Sequence, residues 1–207
     1  MLQFTKKEKE FLKKINTPAK IQDYLNSLQF NFEERGQTVK SPIRVLREKN
    51  AHCLEGAILA AYIFYLHGEK PLIMHLHTTK GDYDHVVALF KRGKLWGAIS
   101  KTNHAVLRYR DPIYKNIREL SMSYFNEYFL DNGKKTLRSY SEPLNLKVFE
   151  LGWWEEEKDL WGIDQELEKI KHFSFAPKET IRALRKADEI EIEAGKIVEY
   201  KKRKEKK

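Results

Sequence analysis

Asn50-Ala51-His52-Cys53-Leu54-Glu55-Gly56-Ala57-Ile58-Leu59-Ala60-Ala61-Tyr62-Ile63-Phe64-Tyr65-Leu66-His67-Gly68 is the stretch on which the reading of this chain turns. From Ala57 to Leu66 every residue is apolar or aromatic. A helix there has no solvated side and must be buried all round. The run falls short of the roughly 18 apolar residues that a bilayer span needs, so it reads as the central helix of a protein core. Asn50 is the expected N-cap, which would make Cys53 the third helical residue. His67-Gly68 is the expected stop, with glycine beyond the C-cap.

Cys53 is the only cysteine of the chain. A thiol in the first turn feels the positive end of the helix dipole, which favours the nucleophilic thiolate. The plain alternative is a small buried hydrophobe. A single cysteine excludes an internal disulfide and fits a reducing compartment, so a cytoplasmic location is expected. The first ten residues show no apolar signal region, and no membrane partner is expected.

The net charge of +9 needs locating first. Lys201 to Lys207 holds six bases and one acid, leaving only +4 on the other 200 residues. Such a block reads as a solvated, disordered tail, and nucleic acid is expected to bind, if anywhere, only there.

The first third is helical. Phe4, Phe11, Leu12 and Ile15 line one candidate helix; Thr17-Pro18 and Ser41-Pro42 are cap-plus-proline starts for two more. After Gly68 the period changes to two. Lys70 to Thr78, His85 to Phe90 and Leu95 to Ser100 read as strands, with turns at Gly81 and Gly93. The class is α+β, a buried helix packed on an antiparallel sheet. Arg110-Asp111-Pro112 reads as a loop, Ile117 to Phe129 as helix, Leu144 to Leu151 as a strand. Trp161 to Phe173 and Lys178 to Tyr200 read as helices. The expected organisation is a core over 1–130, an accessory strand and helices over 131–200, and the tail over 201–207.

The hairpin permits a register argument. With a loop of two residues (92–93) or four (91–94), His85 lies opposite Ser100 on one face; a three-residue loop moves the partner to Ile99 or Lys101. A histidine held by a polar partner, facing a thiol at a helix start, is the layout of Cys–His nucleophilic catalysis.

The chain resembles the transglutaminase-like superfamily, built on the papain-like cysteine-protease fold. The resemblance runs from Thr17 to Phe129. It rests on the Thr17-Pro18 helix, Ser41-Pro42-Ile43-Arg44-Val45-Leu46, His52-Cys53-Leu54-Glu55-Gly56-Ala57, the His67-Gly68 stop, Asp84-His85-Val86 and the Trp96 strand. It implies Cys53 as nucleophile and His85 as acid/base. The family's aspartate position holds Ser100, a departure, because serine orients an imidazole without charge. Asn103 is the second candidate, since papain-like enzymes use asparagine there. The implied activity is that of a peptidase- or amidase-type hydrolase on a peptide or protein substrate, with the Cys53 N–H as first oxyanion donor and no cofactor. The rival is an inactive peptide- or protein-binding module.

His75 and His77 share a strand face and precede Asp82, Asp84 and His85, a zinc-capable pattern. No further ligand pair has motif spacing, so no metal is expected. His104 is a substitute base. His52 is expected to be exposed or capping, with its side chain pointing away from Cys53, and Glu55 to complement the helix dipole. Trp153, Trp154 and Trp161 read as packing or lid residues.

Overall fold

A computed structural model of the chain describes residues 2–201; the basic tail beyond Lys201 lies outside them. Helix α1 (Lys6–Lys14) begins at the Thr5 N-cap, whose hydroxyl accepts from the Glu8 N–H while the Glu8 carboxylate accepts from the Thr5 N–H. Helix α2 (Pro18–Ser27) starts with Thr17 as cap and proline at the first position. Strand β1 (Gln29–Phe30) follows, then helix α3 (Pro42–Glu48) and strand β2 (Asn50–Ala51).

Helix α4 (Cys53–Leu66) is the central helix. It is buried without break from Leu54 to Phe64, because no turn of it offers a polar side to water. It ends in a paired cap: Gly68 N–H donates to the Tyr65 carbonyl at 3.0 Å and Glu69 N–H to that of Phe64 at 2.9 Å. Its start differs from the sequence reading. The N-cap is His52 and Cys53 is the first helical residue. Asn50 cannot cap, because β2 pairs in parallel with β1, Gln29 opposite Asn50 and Phe30 opposite Ala51.

The sheet comprises β3 (Leu72–Thr78), β4 (His85–Arg92), β5 (Leu95–Ile99), β6 (Arg110–Tyr114), β7 (Leu137–Ser141), β8 (Leu144–Asn145) and β9 (His172–Ser174). Its order is β6-β5-β4-β3-β7-β9, with β8 also on β3, and neighbours are antiparallel. Helix α5 (Ile117–Met122) follows β6; α6 (Trp161–Lys169), α7 (Lys178–Arg182) and α8 (Glu189–Gly195) complete the chain. Among the described residues no helix is long and apolar enough to cross a membrane.

Both sheet faces are covered. Ile73, Val86, Ala88, Phe90 and Ile99 pack with α4 in one apolar cluster. Met74, Leu76, Val87, Leu89 and Ala98 pack on the other face with Leu120, Tyr124 and Tyr128. The period of two thus separates two cores.

Several expectations change. Arg110 to Tyr114 is an edge strand, where a proline is tolerated because one side of its backbone needs no ladder partner. Leu144 to Leu151 keeps only two residues of strand before a 3₁₀ turn at Leu146–Val148. The helix from Trp161 stops at Lys169, and His172 to Ser174 joins β7 instead. The span 178–200 breaks into two short helices. Residues 131–200 share the sheet and both cores with the first 130: Leu137, Tyr140 and Phe175 enter one cluster, Leu144, Trp153, Ile163 and Leu167 the other. Trp153 and Trp154 pack on Tyr62, with ring centroids 5.9 and 5.3 Å away.

The hairpin loop is Gly93-Lys94, since Arg92 pairs with Leu95 and Ala88 with Ile99. Gly93 supplies φ +61°, as the first position of a type II′ turn requires. The register is therefore two residues away from the expected one. Continued beyond Ile99, it sets Ser100 opposite Val87, making Ser100 a diagonal neighbour of His85. A shift of two preserves the face.

Gly56 is a point of close approach: a Cβ there would lie 2.5 Å from the Lys101 Cβ, on a side chain that is itself buried. Gly56→Ala is expected to destabilise the protein by about 1–3 kcal/mol, read as a lower midpoint in urea unfolding. A chain ending at Leu130 loses β7 and β8 from one side of β3, and buried residues from both cores. It is expected to aggregate on size-exclusion chromatography; a monodisperse, cooperatively unfolding fragment would contradict the shared core.

Candidate active site

The start of α4 is built around a buried carboxylate. Glu55 is fully buried. Its Oε1 accepts from the Thr38 hydroxyl at 2.8 Å and the Lys40 N–H at 3.1 Å. Its Oε2 accepts from Asn31 Nδ2 at 3.0 Å and the His52 N–H at 3.1 Å. A carboxylate is tolerable inside a protein when its oxygens are filled in this way. Glu55 thus does more than complement the dipole: it ties the 31–40 segment to the helix start that carries Cys53.

Cys53 is partly buried, its Sγ 3.9 Å from the Asp84 carbonyl oxygen. It lines a cleft of about 410 Å³ with Phe30, Phe32, His52, Tyr83, His85, Lys101 and Tyr128. Burial opposes ionisation of the thiol. Hydrogen bonds and positive charge from His52 and His85 outweigh it, and hold Cys53 well below the ordinary thiol range.

His85 sits where expected, at the start of β4. Its Nε2 lies 2.6 Å from Ser100 Oγ, and Ser100 Oγ lies 2.6 Å from the Leu107 carbonyl oxygen. A carbonyl only accepts, so the single Ser100 proton goes to Leu107, and Ser100 accepts from a protonated His85 Nε2. That puts a proton on Nε2 and leaves Nδ1 as the nitrogen that exchanges a proton with the Cys53 thiol. Leu107 holds φ +61°, a left-handed conformation costing roughly 1–2 kcal/mol for a residue with a Cβ. Its N–H is anchored by Glu127 Oε2 at 2.7 Å.

Ser100 is placed by a residue the sequence reading missed. Gln22 of α2 accepts from the Ser100 N–H at 3.0 Å and donates to its carbonyl at 2.7 Å, both buried. One side-chain amide thereby replaces the strand ladder where β5 ends. The available signal was a polar residue between Ile21 and Leu25 on the buried side of α2.

His52 corrects an expectation. The argument that its side chain turns away from Cys53 holds within a helix, but an N-cap residue is extended, here with φ −94° and ψ −173°. Its Nε2 lies 2.8 Å from the Thr38 carbonyl. Burial works against its protonation, yet the Cys53 sulfur, Glu55 and the Thr38 carbonyl raise its pKa to about 9.

Asn103 does not reach His85. Its side chain closes a two-way pair with the Tyr200 backbone, donating to the carbonyl at 2.9 Å and accepting from the N–H at 2.8 Å. His104 Nδ1 lies 3.3 Å from the Gly195 carbonyl. Both line the cleft wall, engaged with the C-terminal segment. Of the metal-capable residues, His75, His77 and Asp84 converge, joined by His172. Tyr128, a second missed residue, lines the cleft. Burial, then the negative charges of Cys53, Asp82 and Asp84, keep it protonated well above the ordinary range.

No family model matches this chain, and no curated protein matches it either.

The charge arrangement has a measurable signature. Between pH 8 and pH 6 an ordinary thiol loses about a hundredfold in alkylation rate, because only the thiolate reacts. Cys53 is expected to lose less than about tenfold with iodoacetamide over this range, since its thiolate persists to lower pH. His52→Ala and His85→Ala each remove a positive partner, raise the thiol pKa and restore a steeper fall. An ordinary profile in the unaltered protein would refute this assignment.

Proposed function

We propose that this protein is a thiol-dependent acyl-transfer enzyme of transglutaminase-like type, a peptidase- or amidase-class hydrolase. The observation that carries the reading is the Leu107–Ser100–His85 hydrogen-bond chain standing behind a depressed-pKa thiol at a helix start.

The geometry supports the following course. The Cys53 thiolate attacks the carbonyl carbon of a peptide or carboxamide, and the π electrons move onto oxygen. The first-turn N–H of Cys53 has no intrahelical acceptor and faces the developing oxyanion. The neutral Tyr128 hydroxyl serves as the second donor. Collapse of this intermediate breaks the C–N bond, and His85 passes to the departing amine the Nδ1 proton that it took from the Cys53 thiol. Water then gives a proton to His85 and attacks the thioester, releasing the carboxylate product and the thiolate. Ser100 holds the ring in place throughout; it offers no charge, and the cation that stays near the sulfur is His52. A cleft edged by Phe30, Phe32 and an exposed Tyr83 suits an extended peptide. The cytoplasm, as a reducing compartment, suits the single thiol.

The neutral third group favours one second reading, a peptide-binding module with a vestigial site. The two part on covalent chemistry. Peptide amides should yield a thioester on Cys53, trapped by acid quench and read by mass spectrometry. Cys53→Ala should abolish turnover with an unchanged unfolding curve. Ser100→Ala should lower kcat roughly ten- to hundredfold with little change in KM, the effect of losing one hydrogen bond to a charged ring. Peptide binding with no thioester, and equal binding by Cys53→Ala, would select the module.

A further inference from the structure

The end of β3 and the start of β4 carry a second constellation that the thiol chemistry does not use. His75, His77 and Asp84 bring three potential ligand atoms within 4.8 Å of one another. His75 Nε2 lies 3.1 Å and His77 Nδ1 3.0 Å from the same oxygen, Asp84 Oδ2. Around a tetrahedral zinc ion with bonds of about 2.0–2.1 Å, neighbouring ligand atoms lie about 3.3 Å apart. The cluster therefore needs only a small opening to enclose an ion.

The support behind these atoms is also of the ligand-orienting kind. His172 Nδ1 donates to the Ile170 carbonyl at 2.8 Å, since a carbonyl only accepts. His172 Nε2 is then an acceptor, and the atom 3.1 Å from it, His75 Nδ1, is the donor. With Nδ1 held from behind, His75 Nε2 is the nitrogen turned toward Asp84 Oδ2, in the space that His77 Nδ1 also faces, and there an ion would replace a proton. Metal-binding histidines are typically held so, with the second ring N–H on an outer acceptor. Asp84 is oriented in the same manner: its Oδ1 accepts from the Thr78 N–H at 2.7 Å and the Thr78 hydroxyl at 2.8 Å, leaving Oδ2 to the cluster. His75 is buried, whereas the His77 side chain is 47% exposed and gives an ion a way in.

We propose that His75, His77 and Asp84 form a binding site for one divalent first-row transition metal ion, zinc before others, with His172 orienting His75 from behind. Two imidazoles and one carboxylate are ligands that such ions favour. Asp84 immediately precedes His85, and its carbonyl faces the Cys53 sulfur. An ion here pins the loop that joins β3 to β4 and thereby the strand end that carries His85. The site stands apart from the thiol reading and survives its failure.

The test uses the full chain with Cys53→Ala, so that the thiol contributes no ligand. After chelator treatment, calorimetric titration with Zn²⁺ is expected to give one ion per chain and a raised Tm. Co²⁺ should give visible d–d bands that Zn²⁺ displaces. His77→Ala, at a half-exposed position, and His172→Ala, behind the ligands, should each weaken binding roughly ten- to hundredfold while the circular dichroism spectrum stays unchanged. No uptake of either ion would overturn the proposal and leave an imidazole–carboxylate ion cluster. Equal binding by the His77→Ala chain would overturn it too, by placing the ion elsewhere.

Discussion

The carboxylate of Glu55 is a charge buried at the start of the central helix. Helix α4 is apolar on every side, so its N-terminus is carried into the interior along with the rest. Its unpaired first-turn N–H groups and the acid among them have to be satisfied there. The solution draws in Asn31, Thr38, Lys40 and His52. Those four contacts decide where the 31–40 segment runs, and with it one wall of the cleft. They also hold His52 in the extended conformation that sets its ring beside Cys53. The acidic residue that stabilises the fold is therefore the one that arms the thiol.

The second half of the site is arranged by the sheet. The two-residue Gly93-Lys94 turn sets the β4–β5 register, and β5 ends one residue before Ser100. Beyond that end Gln22 takes over the backbone pairing, and Leu107 in its left-handed conformation presents the carbonyl that orients the serine proton. An aspartate at position 100 would face that carbonyl oxygen at close range with no proton to offer it. Serine is the residue that this backbone accommodates.

Much of this was legible in the residues. The buried helix with Cys53 in its first turn, the helix starts at Thr17 and Ser41 and the alternation of β3 to β5 all rest on local patterns: period and capping chemistry. His85 and Ser100 still meet although the loop lies at 93–94 and they are not direct cross-strand partners, because a register shift of two residues leaves the side-chain face unchanged. Elements assigned by local apolar content alone fared worse. Leu144 to Leu151 and His172 to Ser174 have patterns that either class accepts, and sheet pairing rather than propensity decided them.

What the sequence determined by itself is the set of segments that must be buried and the chemistry they carry, since burial follows from composition and spacing along the chain. What only the tertiary structure decided is which polar groups meet. Gln22 and Ser100 are separated by 78 positions, His75 and His172 by 97, and Asn103 and Tyr200 by 97. Hydrogen bonds of that kind leave no periodic trace, because each depends on two distant backbones being brought together and on neither partner alone. The same holds for Asn103, a reasonable orienting residue by type, whose amide was claimed by the returning C-terminal strand of backbone before it could reach the histidine.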